Sequence, residues 1–142
     1  MAAYNKYQQF VEDLAKKVHN LNTDTIKVAL TNTAPNAATH KVLGDITEIG
    51  AGNGYSAGGN TATFASGAQT AGSYKLVLAD VTFTATGGSF NPFQYAVVYN
   101  ATPTSPLKPL IAWFDYGTAL TLTSGNSFTV DLDQANGLFT LA

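Results

Sequence analysis

Large apolar residues recur every three or four positions near the start of the chain. This stripe predicts an amphipathic α-helix over residues 4–20. Glu12 and Asp13 lie four residues before Lys16 and Lys17, in the order that stabilises a helix. We expect the apolar face to be buried, against the rest of the chain or against a partner chain. The stripe consists of Tyr7, Phe10, Val11, Leu14, Val18 and Leu21, and the residues we expect to be buried are Tyr7, Phe10, Leu14 and Val18.

Beyond residue 25 the apolar period changes from about 3.6 to 2, which is the period of a half-buried strand. Short alternating runs separated by turn residues favour a β-sandwich or jelly roll. The sequence therefore predicts a mainly β fold with one N-terminal amphipathic helix. The alternating runs lie at 26–30, 74–78, 81–86, 120–122 and 128–132.

Two runs, 93–99 and 110–116, are apolar on both faces. Such strands are covered on both sides, so we predict that they lie centrally, or against the helix or a neighbouring subunit. Asn136-Gly137 has the composition of a two-residue hairpin turn before a last strand at 138–141.

Few large apolar residues occur between residues 32 and 73, where we predict a long Gly-rich loop with one weak strand at 61–65. Loops of this length within a domain are usually functional or disordered. Neither side of the loop has enough elements to fold alone. We therefore predict a single domain over 1–142, with the β body over 25–142.

Composition narrows the function. Charged residues make up 11% of the chain, there is no arginine or cysteine, and the net charge is −2. No basic field is available for nucleic acid or anionic lipid, and no apolar run approaches the roughly 20 residues of a membrane span. We therefore predict that the chain binds neither nucleic acid nor a membrane. Thr, Ser, Asn and Gln number 42 and must cover much of the surface. Such a neutral surface favours an assembly component.

Two segments match catalytic motifs only in part. Residues 54–58 match G-x-S-x-G, but His19 and His40 both precede Ser56, whereas this motif requires the order Ser, Asp, His. Residues 54–61 approach the P-loop pattern, with Asn60 in place of its lysine. We predict no catalytic residue and no cofactor.

Polar and aromatic clusters give further weak candidates. Asp45 and Glu48 have the spacing of a glycosidase-like pair on one helical turn, and residues 131–137 superficially resemble a calcium loop without its proper spacing. Trp113 could stack on a sugar but more often such a residue is core. Residues 100–102 form a glycosylation sequon. We predict no metal site.

Four segments resemble small virion proteins of tailed bacteriophages, over nearly the whole chain. The resemblance implies a head decoration or cement-type protein with a β-sandwich or jelly-roll body, made in the host cytoplasm and placed on the capsid surface. It also implies the major capsid protein and further copies of the chain, as a dimer or trimer, as partners. The segments lie at 4–15, 24–35, 74–83 and 127–141.

The leading hypothesis is therefore a non-enzymatic capsid decoration protein. The alternatives are a tail or baseplate module, with a structural or host-binding role, and a carbohydrate-binding or hydrolytic β-sandwich. Besides the helix stripe, we expect partner contacts in three loops that place bulky or stiff residues among flexible ones. The candidates in these loops are Tyr55, Phe90, Pro92 and Leu107.

Overall fold

The computed structural model describes residues 2–142 and is mainly β, with one short α-helix near the N-terminus. The predicted fold class is confirmed. In chain order the elements are β1 (Ala3–Lys6), α1 (Gln8–Ala15), β2 (Ile26–Thr31), a 3₁₀ turn (Leu43–Asp45), β3 (Asn60–Ala62), β4 (Phe64–Thr70), β5 (Ser73–Leu78), β6 (Val81–Thr84), β7 (Phe93–Asn100), β8 (Leu110–Leu120), β9 (Ser127–Val130) and β10 (Phe139–Leu141).

The largest sheet has five antiparallel strands in the order β1-β8-β7-β2-β3. The strands β7 and β8 are central, as their doubly apolar sequences predict. Their alternate side chains enter two separate cores. Val98 and Phe114 belong to the main core on one face, whereas Val97 and Trp113 belong to a smaller core on the other.

The second layer of the β-sandwich covers the main core. It consists of a three-stranded antiparallel sheet, β10-β5-β4, and a two-stranded one, β6-β9. Leu76 and Leu78 of β5 and Phe83 of β6 are essentially inaccessible to solvent and pack with Phe10 of α1 in this core. Burial of each such side chain contributes about 1.5–3 kcal/mol.

The helix is shorter than the sequence predicts. Residues 3–6 form β1 instead, because the edge of β8 offers them backbone partners. The helix ends where Lys17 adopts a left-handed φ of 65°, and the N–H groups of Lys17 and Val18 donate to the carbonyls of Leu14 and Asp13. This pattern is a Schellman cap. The prediction of a helix over 4–20 is wrong at both ends.

Because the chain forms β1 before the helix begins, the residues of the predicted stripe enter two different cores. Tyr7 precedes the helix and packs in the smaller core on Trp113, whereas Phe10 lies in the main core. Both residues are buried, as is Leu21, while Leu14 and Val18 are half-buried. Val11, also part of the predicted stripe, is exposed. The stripe is therefore divided between two sides of the large sheet.

The predicted loop at 32–73 is partly wrong. The weak strand predicted at 61–65 is replaced by two strands, 60–62 and 64–70, the second of which extends well beyond it. Residues 43–45 form a 3₁₀ turn whose Leu43 enters the smaller core with the following Ile46. Sequence periodicity missed β4 because its residues are small and mostly polar. Pairing with β5 defines it, through a tight turn in which Ala71 and Gly72 both have positive φ.

Asn136-Gly137 forms a turn but not the predicted hairpin. The strand before it, β9, pairs with β6, while the strand after it, β10, pairs with β5. The chain crosses here from one sheet to another. Gly137 has a φ of 86°, and an added Cβ would lie 2.6 Å from the carbonyl oxygen of Leu76, so the position suits glycine because of close packing.

Candidate interaction surface

Tyr55 fastens the Gly-rich loop to the large sheet. Its hydroxyl accepts a hydrogen bond from the Leu30 N–H at 3.0 Å and donates to the Glu48 carboxylate at 2.7 Å. Glu48 also accepts from the Gly58 N–H at 2.8 Å, and the Tyr99 hydroxyl donates to the Gly58 carbonyl at 2.6 Å. Burial raises the pKa of Tyr55 above its ordinary value. The loop is thus ordered by a connected polar network.

This burial removes two predicted contact residues from the surface. Tyr55 and Phe90 are 2% and 3% exposed, and their rings pack edge to face in the main core, where both also contact Phe83. Neither side chain is available to a partner chain. Pro92 and Leu107 are exposed, so two of these four loop positions are accessible.

Both carboxylates of the candidate pair, Asp45 and Glu48, accept hydrogen bonds from neighbouring groups of the fold. Asp45 accepts hydrogen bonds from the backbone N–H groups of Lys41 and Val42, which lower its pKa. Glu48 is bonded to Tyr55 and Gly58, as described above. Asp45 therefore lacks the raised pKa that a general acid requires.

The remaining sequence candidates also have structural surroundings. Ser56 is exposed and is followed by β3, not by the helix of a nucleophile elbow. Trp113 is 8% exposed, with the Tyr7 ring centroid 4.6 Å from its own, so it offers no open stacking face. Asn100 of the sequon is fully buried. Within residues 2–142, no three His, Asp or Glu side chains are grouped to hold a metal ion.

His19 is buried in a polar cluster beside α1. Its Nδ1 lies 3.1 Å from the Asn100 side-chain nitrogen, which donates to Asp24 at 2.6 Å. An amide nitrogen is a donor, so His19 accepts through Nδ1 and is neutral. Its Nε2 has no hydrogen-bond partner among the described residues. Burial lowers the pKa of His19, and Asp13 and Asp24 oppose this shift in part.

We predict an acid-sensitive step in stability from His19. The unfolded chain binds a proton at the ordinary histidine pKa of about 6.5, whereas the folded chain resists it. The free energy of unfolding should therefore fall as pH drops through about 6.5 towards the lowered pKa. In urea unfolding at several pH values, His19→Gln should flatten this slope, and His40→Gln, at the other histidine of the chain, should retain it. An equal slope in wild type and His19→Gln would assign the effect to another group.

An apolar groove of about 670 Å³ lies between β1, α1 and β10. Four large hydrophobic side chains are notably exposed in the described chain, and Tyr4, Val11 and Leu141 of these line the groove. The fourth, Leu107, lies in the loop between β7 and β8 and does not line the groove. Phe10, Leu14, Ala15 and Phe139 complete the apolar lining.

The charged side chains that line the groove are all positive. Lys6 is its only charged lining residue, and an adjoining depression that shares Leu14, Phe139 and Leu141 includes Lys17. No carboxylate side chain lines either concavity. The combined surface, which we call the α1–β10 groove, is therefore mainly apolar, and its charged lining residues are two lysines.

Comparison of the chain with protein-family models, curated proteins and solved structures finds no match. Among residues 2–142, no helix is long and apolar enough to cross a membrane.

Proposed function

We propose that this protein is a non-enzymatic structural component of a bacteriophage particle, bound in many copies to the major capsid protein on the capsid surface. The observation that carries the proposal is the α1–β10 groove, which collects three of the four exposed large apolar side chains. Contiguous apolar surface of this kind is typical of a protein-binding site. The resemblance of the sequence to phage virion proteins supports the choice of partner.

The occupant of the groove is an apolar segment of the capsid protein that carries carboxylate side chains. Its apolar residues would cover Tyr4, Val11 and Leu141, and its carboxylates would face Lys6 and Lys17. Apolar burial supplies the affinity, at about 25 cal/mol per Å² of apolar area, while the lysines select the orientation. Many weak contacts on one shell then add up through avidity.

The test uses particles assembled in cells that express one variant of this protein at a time. Val11→Asp should lower the number of copies per purified particle by about tenfold or more, because burial of a valine is worth about 1.5–3 kcal/mol and 1.4 kcal/mol is a factor of ten. Leu107→Asp introduces the same charge at the other exposed apolar site and should leave occupancy unchanged. Quantitative mass spectrometry measures both.

Different results would redirect the proposal. Loss of occupancy in Leu107→Asp alone would place the contact on the loop between β7 and β8. Full occupancy in both variants would exclude both surfaces, and a few copies per particle would indicate a tail or baseplate component. Wild-type protein should remain bound in 1 M NaCl, where the Debye length is about 3 Å. Release by salt alone would show an electrostatic interface instead.

A further inference from the structure

One edge of the second layer is open along the longest edge strand of the fold. The edge strands of the fold are β1, β3, β4, β10 and both members of the β6-β9 pair. With seven residues, β4 is the longest of them. In an antiparallel pair every second residue directs its N–H and C=O away from the partner strand, so β4 presents a row of such groups opposite β5.

These backbone groups are accessible and unpaired. The backbone of β4 makes no hydrogen bond outside its pairing with β5 among the described residues, and no side chain donates to it or accepts from it. Of its seven residues, Phe64 and Gly67 are half-buried and the other five are exposed. The turn at Ala71-Gly72 is also exposed, so the hairpin projects into solvent.

The usual protection of an exposed edge is missing here. Proteins protect edge strands with charged side chains, proline or short length. Residues 49–74 contain no Asp, Glu, Lys, Arg or Pro, although the chain is charged on both sides of them at Glu48 and Lys75. By contrast, β1 carries Lys6, while β3 and β10 have only three residues each.

We propose that β4 pairs antiparallel with β4 of a second copy of this chain, about a two-fold axis at Ala68. The pairing joins the two three-stranded sheets into one six-stranded sheet. It places Ser66 opposite the partner's Thr70, and Gly67 opposite the partner's Gln69. All of these residues are small or neutral, so the strand meets its own copy without repulsion between charges. The symmetry closes the assembly at two copies.

The position of Ala68 follows from the geometry of the hairpin. Residues 66–70 lie between the register shift after Phe64 and the turn at 71–72, and Ala68 is the centre of this regular stretch. Close packing explains the glycine at position 67, because a Cβ there would lie 2.4 Å from the Tyr74 hydroxyl oxygen. The Tyr74 ring thus covers the glycine on the inner face and leaves the edge clear.

A single introduced thiol tests the register, since the chain has no cysteine. Opposed residues of a non-hydrogen-bonded antiparallel pair have Cα atoms about 4.5 Å apart, within the range of a disulfide. With oxidised glutathione, Ala68→Cys should become a covalent dimer in near-quantitative yield. Thr140→Cys, exposed on β10 at the other edge of the same sheet, should remain monomeric in a denaturing gel.

A charged substitution tests the pairing without the formation of a covalent bond. Ala68→Asp brings two carboxylates face to face and should raise the dimer dissociation constant at least about tenfold in sedimentation equilibrium. Thr140→Asp should leave the constant unchanged, and thermal unfolding of each variant reports its fold. A monomeric wild type, a trimer, or a dimer unaffected by Ala68→Asp would overturn the proposal. The measurement uses purified protein alone, so its outcome is independent of any capsid partner.

Discussion

Replacing Gly59 with alanine is expected to lower the free energy of unfolding by roughly 2–5 kcal/mol. Gly59 has a φ of +68°, which costs an alanine about 1–2 kcal/mol. In addition, a Cβ at this position would lie 1.8 Å from the Val28 carbonyl oxygen and 2.8 Å from the Ala29 Cα, and overpacking typically costs a further 1–3 kcal/mol. Both contacts are with the backbone of β2, which lies inside the five-stranded sheet and cannot move aside alone. Equilibrium denaturation measures the change.

Gly87→Ala is the matched control for this substitution. Gly87 has a similar φ of +74°, but a Cβ there meets no atom within 4 Å. It should therefore lose only about 1–2 kcal/mol from backbone strain. Equal losses in the two variants would show that strain alone accounts for Gly59, and that the Gly-rich loop does not press on β2.

Replacing Phe10 with aspartate is expected to abolish cooperative folding or to lower the midpoint of thermal unfolding severely. Phe10 is 2% exposed, and its ring packs against His19 and Phe139 at centroid distances of 5.1 and 5.3 Å. Truncating a buried phenylalanine costs about 3–5 kcal/mol, and an unpaired buried carboxylate adds to that cost. Total stability for a domain is only about 5–15 kcal/mol. Calorimetry with circular dichroism measures the result.

The neighbouring residue provides the control. Val11 lies on the same helix but is 53% exposed, so Val11→Asp should leave the unfolding midpoint nearly unchanged. The pair thus separates folding from binding, since Val11→Asp is also the variant expected to lose particle binding. A stable Phe10→Asp protein would mean that α1 is not part of the core.

The surfaces available to a partner were only partly predictable. Sequence reasoning placed Leu107 and Pro92 in exposed loops, and both are exposed. It did not find the α1–β10 groove, because Tyr4, Val11 and Leu141 come from opposite ends of the chain. The helix stripe gave part of its lining, Phe10, Val11 and Leu14, but no local pattern in the sequence brings Tyr4 and Leu141 beside them.

The burial of aromatic residues in the loops was equally unpredictable from the sequence. Tyr55 stands among glycines and looks like a flexible contact residue in the sequence. Its burial depends on Glu48 and on the Leu30 N–H, neither of which is marked as its partner by spacing. Phe90 is buried because it meets Tyr55 and Phe83, which lie on other segments.

Local periodicity by itself determined the mainly β class and the central place of β7 and β8, because side chains on a strand alternate between two faces and both faces of these strands are apolar. It could not determine β1, β4 or the crossing at Asn136-Gly137. A strand is defined by backbone bonds to a partner that is distant in sequence, and short or small-residue strands have too little apolar pattern to reveal one. Tertiary pairing therefore decided where α1 begins, which core receives Tyr7 and Phe10, and which strand edge remains open.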